Sequence, residues 1–146
     1  MHPKSRRRLI KATHILCATV CALILIVGIA KSLTLNEFAS SIRAWESIPD
    51  QYAEFFAFAT ATTEMLLASL WLLHVRQRLV STLIVILLAS FTALLISERI
   101  KSGSVTCNCF ALTTGGSDTS IYFYTARNAL LAAPFAMSLA LTTSRG

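Results

Sequence analysis

Four stretches of the chain stay mostly apolar for about 20 residues, the length a helix rising about 1.5 Å per residue needs to cross hydrocarbon. They run from about Ile10 to Ala30, Ala53 to His74, Leu79 to Ser97 and Ile121 to Leu141. Lipid cannot satisfy free backbone N–H and C=O groups, so each stretch predicts a transmembrane helix. The fourth is the least apolar, because Arg127, Asn128 and Pro134 interrupt it. Between the first two, the pattern changes. Leu35, Phe38, Ile42 and Trp45 recur at helical spacing, while Asn36, Ser40, Ser41, Arg43 and Glu46 fill the opposite face. This predicts a short amphipathic helix ending before Pro49, packed over the mouth of the bundle, with Trp45 as an interface anchor. Thr34-Leu35-Asn36-Glu37 has the spacing of a capping box at its start. The expected fold is all-α: one polytopic membrane domain over residues 1–146, a four-transmembrane-helix bundle with a short outer helix.

Composition agrees with this pattern, since 55% of the 146 residues are hydrophobic and only 14% charged, far from a soluble globular protein. The net charge of +6 does not point to nucleic acid. Its excess sits in Lys4, Arg6, Arg7, Arg8 and Lys11, directly before an apolar run, as on the flank of a membrane helix. A basic start and apolar middle also describe a signal peptide. Here the apolar run is long and Gly28-Ile29-Ala30-Lys31 is a poor cleavage site, so the first helix is expected to remain in the mature chain. With a cytoplasmic N-terminus, eight of the 13 basic residues and none of the seven acidic ones lie on the cytoplasmic side. Both termini and the tight turn Val75-Arg76-Gln77-Arg78 are therefore expected to be cytoplasmic. The expected location is a bacterial inner membrane, with the loops at about 31–52 and 98–120 facing the periplasm.

Cys107-Asn108-Cys109-Phe110 falls in the second of these loops, on the oxidising side. A disulfide across one intervening residue closes a tight ring, and such geometry makes the bond easier to reduce. The pair suits exchange, in which a thiolate attacks a partner disulfide and the neighbouring thiol resolves the mixed intermediate. Either cysteine can be the attacker, and a static bridge fits the same residues. Zinc takes about four ligands and this loop offers two thiolates, while His2, His14 and His74 fall at the cytoplasmic boundary, so no metal site is expected. Cys17 and Cys21 share a face of the first helix, roughly 10 and 16 Å from its start by helix rise. With Ala18 and Ala22 beside them they read first as small packing residues, and second as a thiol relay.

Ionisable residues inside membrane spans are costly unless paired. Glu64 lies near the middle of the second span, Arg127 and Asn128 lie in the outer part of the fourth, and Lys31 closes the first. A Glu64–Arg127 ion pair with Lys31 close by is the expected arrangement. It serves either as a structural pair that sets helix register or as a polar pocket below the cysteine loop.

In this order the residues resemble the MauE family of methylamine-utilisation membrane proteins, within the wider group related to DoxX. The resemblance rests on Gly28-x-x-Lys31, then Phe38, Trp45 and Pro49, then Glu64, Cys107-x-Cys109-Phe110 and Arg127-Asn128. Ala111 stands where Gly is usual, and Thr60-Ala61-Thr62-Thr63 where a Pro is common. The resemblance implies processing or transport connected with the disulfide-rich small subunit of periplasmic methylamine dehydrogenase, alongside a thioredoxin-like partner. The leading expectation is membrane-bound thiol-disulfide exchange at Cys107 and Cys109, supported by Glu64, Arg127, Asn128 and Lys31. A non-enzymatic assembly or anchoring subunit, or a small transporter centred on Glu64, are the alternatives. No cofactor motif is evident, and the electron acceptor, a quinone or another, is left open.

Overall fold

The computed structural model describes residues 3–45, 48–102 and 121–143. These form five α-helices: α1 (Pro3–Leu33), α2 (Leu35–Arg43), α3 (Ala53–Leu72), α4 (Gln77–Ser102) and α5 (Ile121–Thr143), with a 3-10 turn at Asp50–Tyr52 leading into α3. Among the described residues there is no strand. Three segments, Arg8–Leu33, Asp50–Leu72 and Gln77–Lys101, are long and apolar enough to cross a membrane. The fourth expected span coincides with α5, which stands apart from these three because Arg127 and Asn128 lower its apolar character.

The long helices pack in a ring, α1 beside α3 and α5, and α4 beside α3 and α5, so α3 and α5 stand on a diagonal. Apolar attraction is weak between helices in lipid, and close packing of small residues takes its place. α3 buries Ala53, Ala57, Ala61 and Ala68 at intervals that keep them on one face. Opposite Ala61, α1 carries Gly28, where an added Cβ would lie 2.6 Å from Met65 Cγ and 3.6 Å from the Ala61 carbonyl oxygen. Outward-facing positions remain apolar, including Ile15, Ile26, Phe55, Phe58, Leu66 and Ile86. An apolar exterior over polar interior groups is the arrangement that lipid, rather than water, favours.

Two apolar clusters fill the bundle. Near the α3–α4 turn, Cys17, Val20, Cys21, Ala68, Trp71 and Phe135 are buried together. At the opposite end, Phe38, Ala39, Ile42 and Trp45 of the α2 region pack onto Ala53, Ala57 and Leu95. The amphipathic reading of α2 is thus realised with its apolar face against the bundle. Trp45, expected as an interface anchor, is instead only 5% exposed, because α2 folds down onto α3 and carries the indole inward.

Two further expectations change. The capping box does not form. Thr34 makes no side-chain cap bond, and its hydroxyl donates to the Ala30 carbonyl at 3.1 Å. A single residue separates α1 from α2, so Thr34 sits where the last carbonyls of α1 are the free acceptors. The third span was expected to end at Ser97, yet α4 continues to Ser102. Glu98 continues the inward face set by Phe91 and Leu95 and is 1% exposed.

Candidate functional site

Lys31 and Glu64 form the central polar contact. The Lys31 ammonium donates to both carboxylate oxygens of Glu64, at 3.0 and 2.8 Å, and lies 5.1 Å from the centre of the Phe38 ring. The side chains are 4% and 18% exposed. α1 and α3 are antiparallel, and helical side chains lean toward the N-terminus of their own helix. Lys31 therefore leans down α1 while Glu64 leans up α3, so the two head groups approach each other across the seam between the helices. Gly28, one turn below Lys31, permits the close approach that aligns them.

This corrects the expected Glu64–Arg127 pair, since among the described residues the ion-pair partner of Glu64 is Lys31. The reason is topological. Arg127 sits on α5, diagonal to α3, whereas Lys31 sits on the helix packed most closely against it. Arg127 instead donates to the Asn128 side-chain oxygen at 3.2 Å. Asn128, 3% exposed, donates to the Thr92 hydroxyl at 3.0 Å, and Thr92 donates in turn to the Leu88 carbonyl at 2.8 Å. The mid-chain amide is thereby held in one orientation by partners on two helices.

The pair and the amide face a common chamber. Lys31, Glu64, Arg127 and Asn128 line a partly open cavity of about 70 Å³, whose remaining walls are apolar and include Val27, Leu67 and Leu88. Mostly apolar walls with a few convergent polar groups are the usual form of a small-molecule site. Sequence reasoning missed Glu98 as an interior group. Its spacing from Phe91 and Leu95, seven and three residues, was the signal that could have found it.

Cys17 and Cys21 are free thiols, both fully buried in the apolar cluster near the turn. Lys31 is ten residues further along α1 than Cys21, about 15 Å by helix rise. Cys107 and Cys109 lie outside the described residues. The segment that carries them joins Ser102 to Ile121, and so connects α4 and α5 at the end of the bundle where Lys31 sits. At the other end His14 stacks with Trp71 and His74, ring centres 5.1 and 5.4 Å apart, and its Nε2 lies 3.2 Å from Gln77 Nε2. Among the described residues no group of three or more His, Cys, Asp or Glu is placed to hold a metal ion.

The family model of the methylamine utilisation protein MauE matches residues 10–142, nearly the whole chain. The chain belongs to the MauE family. Membership connects it with methylamine utilisation. No curated protein and no solved structure matches it. The matched region includes Lys31, Glu64, Arg127 and Asn128 of the polar chamber and the Cys107-x-Cys109 segment.

Proposed function

We propose that this MauE-family protein is a membrane component of periplasmic thiol-disulfide exchange that serves disulfide maturation in methylamine utilisation. Its termini are cytoplasmic, and its loop between α4 and α5 is periplasmic. Cys107 and Cys109 are the redox pair, and their partner is a thioredoxin-like protein. One cysteine forms a mixed disulfide with the partner and the other resolves it. Two electrons and two protons pass between the pairs as one disulfide is made and the other opened. The observation that carries this reading is the buried chamber of Lys31, Glu64, Arg127 and Asn128 at the end of the bundle from which the cysteine segment is strung. A chain that only anchors another protein has no use for four polar side chains around an interior cavity, where each costs free energy unless partnered.

The test is trapping. Cys109→Ser and Cys107→Ser are made separately in the full chain, and mixed disulfides are sought in membranes under non-reducing conditions. One variant is expected to accumulate an adduct with a thioredoxin-like protein. Absence of any adduct in both, with both cysteines oxidised in cells whatever partner is deleted, would establish a static assembly subunit instead. Loss of function in Glu64→Gln with the cysteine pair dispensable would favour a transporter.

A further inference from the structure

We infer that the interior cavity binds a lipid-soluble quinone, which reaches it from the bilayer through a groove between α3 and α4 under α2. As a binding site this stands on geometry alone. As the electron acceptor for Cys107 and Cys109 it rests on the exchange activity proposed above.

The groove is a second hollow, lined by Trp45 and Ile48 beside α2, Phe56 and Thr60 on α3, and Ser90 and Leu94 on α4. Leu87 and Phe91 line both the groove and the interior cavity, so two side chains form the partition between them. Both are only partly buried, and a change of side-chain rotamer is the movement that would join the two hollows. The outer lip is formed by Phe56, 43% exposed, and the exposed Ser90, on the surface that otherwise presents apolar side chains to lipid. A ligand arriving from the bilayer meets this groove before any polar group inside.

Three features select the ligand chemistry. The chamber is apolar along its length and polar at one end, which suits a flat ring with a long hydrocarbon tail. Its polar end offers donors beside a closed ion pair: Glu64 neutralises Lys31, and the Arg127 guanidinium and Asn128 amide line the same wall. An amide has two N–H donors, and Asn128 gives one to Thr92. N–H donors at the end of a mostly apolar chamber fit the carbonyl oxygens of an otherwise apolar ligand. Along the groove, the Trp45 indole N–H is buried and has no hydrogen-bond partner among the described residues. A donor left in that state is costly, and a carbonyl oxygen seated in the groove would satisfy it. A quinone has two such oxygens. The electron count closes as well: two thiols become one disulfide, and the two electrons and two protons released convert the quinone to hydroquinone.

The experiment uses the full chain in nanodiscs and a photoreactive azidoquinone. In the Cys107→Ser/Cys109→Ser double variant, label is expected on α3 and α4 around Thr60, Leu87 and Phe91, and an excess of decyl-benzoquinone should displace it. Trp45→Phe keeps the ring bulk but removes the donor, and should weaken binding about fivefold, the value of one neutral hydrogen bond. Ser90→Trp narrows the lip and should slow labelling while leaving thermal unfolding unchanged. With the cysteines present and reduced, decyl-benzoquinone should yield one hydroquinone per disulfide formed. No displaceable label, or label insensitive to both groove substitutions, overturns the site. Displaceable label without hydroquinone, in protein that still traps its thioredoxin-like partner, overturns the acceptor role. Displaceable label in protein that traps no partner supports the site and removes the exchange activity.

Discussion

The two tryptophans mark the two halves of the bundle and show how differently the same helices are used. Trp71 and Trp45 are both buried, and each meets a phenylalanine edge-on, Phe135 at 6.1 Å and Phe91 at 6.0 Å. Trp71 donates its N–H to the Ser81 hydroxyl at 3.0 Å, inside a cluster of thiols and apolar side chains. Trp45 has no such partner among the described residues, and lies beside a groove. The half near the turn is packed and satisfied. The half near α2 holds an ion pair, a buried amide, a buried acid, a cavity and an unmet donor. Unmet groups and empty space cost stability, so their concentration in one half identifies where function rather than packing shaped the interior.

Removal of one member of the buried ion pair should have the largest effect. Glu64→Ala or Lys31→Met leaves an uncompensated charge inside the bundle and should cost about 3–5 kcal/mol in denaturant unfolding from mixed micelles. The double variant Lys31→Met/Glu64→Leu should regain most of that loss while failing in exchange. A double variant as unstable as the singles would show that the pair is not an isolated unit. Next comes Gly28→Leu, which forces α1 from α3 at a position where even a Cβ meets Met65 at 2.6 Å. A loss of about 2 kcal/mol is expected, with weaker partner trapping because Lys31 and Glu64 lose register.

The tryptophan comparison itself is tested by Ser81→Ala and Trp45→Phe. Ser81→Ala strands the Trp71 donor and should cost about 1 kcal/mol or somewhat more, whereas Trp45→Phe removes a donor that is already unmet and should be close to neutral. Equal losses would erase the distinction between the halves. The smallest effect belongs to the exposed ion pair Arg43–Glu54 at the α2 end, 2.5 Å apart, whose side chains are 44% and 69% exposed. Arg43→Ala should change stability by less than about 1 kcal/mol, and high salt should erase even that.

Much of this arrangement is legible in residue order. Helical spacing of Leu35, Phe38, Ile42 and Trp45 marks the buried face of α2, and Lys31 and Glu64 are conspicuous because charge is rare in apolar runs. The Glu64–Lys31 partnership is not legible, because it depends on which helices become neighbours, and every span presents a similar apolar pattern. Thr34 was misread for a related reason. A capping box assumes a helix start standing free, while here the preceding helix ends one residue earlier and claims the hydroxyl.

By itself, the sequence determined the all-helical membrane character, the amphipathic α2 and the set of interior charges. Hydrocarbon imposes these through length, periodicity and the cost of bare polar groups, all of which are local properties of the chain. Tertiary structure decided that Lys31 rather than Arg127 meets Glu64, that Trp45 turns inward, and that two hollows share Leu87 and Phe91. Each of these depends on helix adjacency and on side-chain direction in antiparallel neighbours, and a glycine at Gly28 opposite Ala61 sets both through a close contact between residues 33 positions apart.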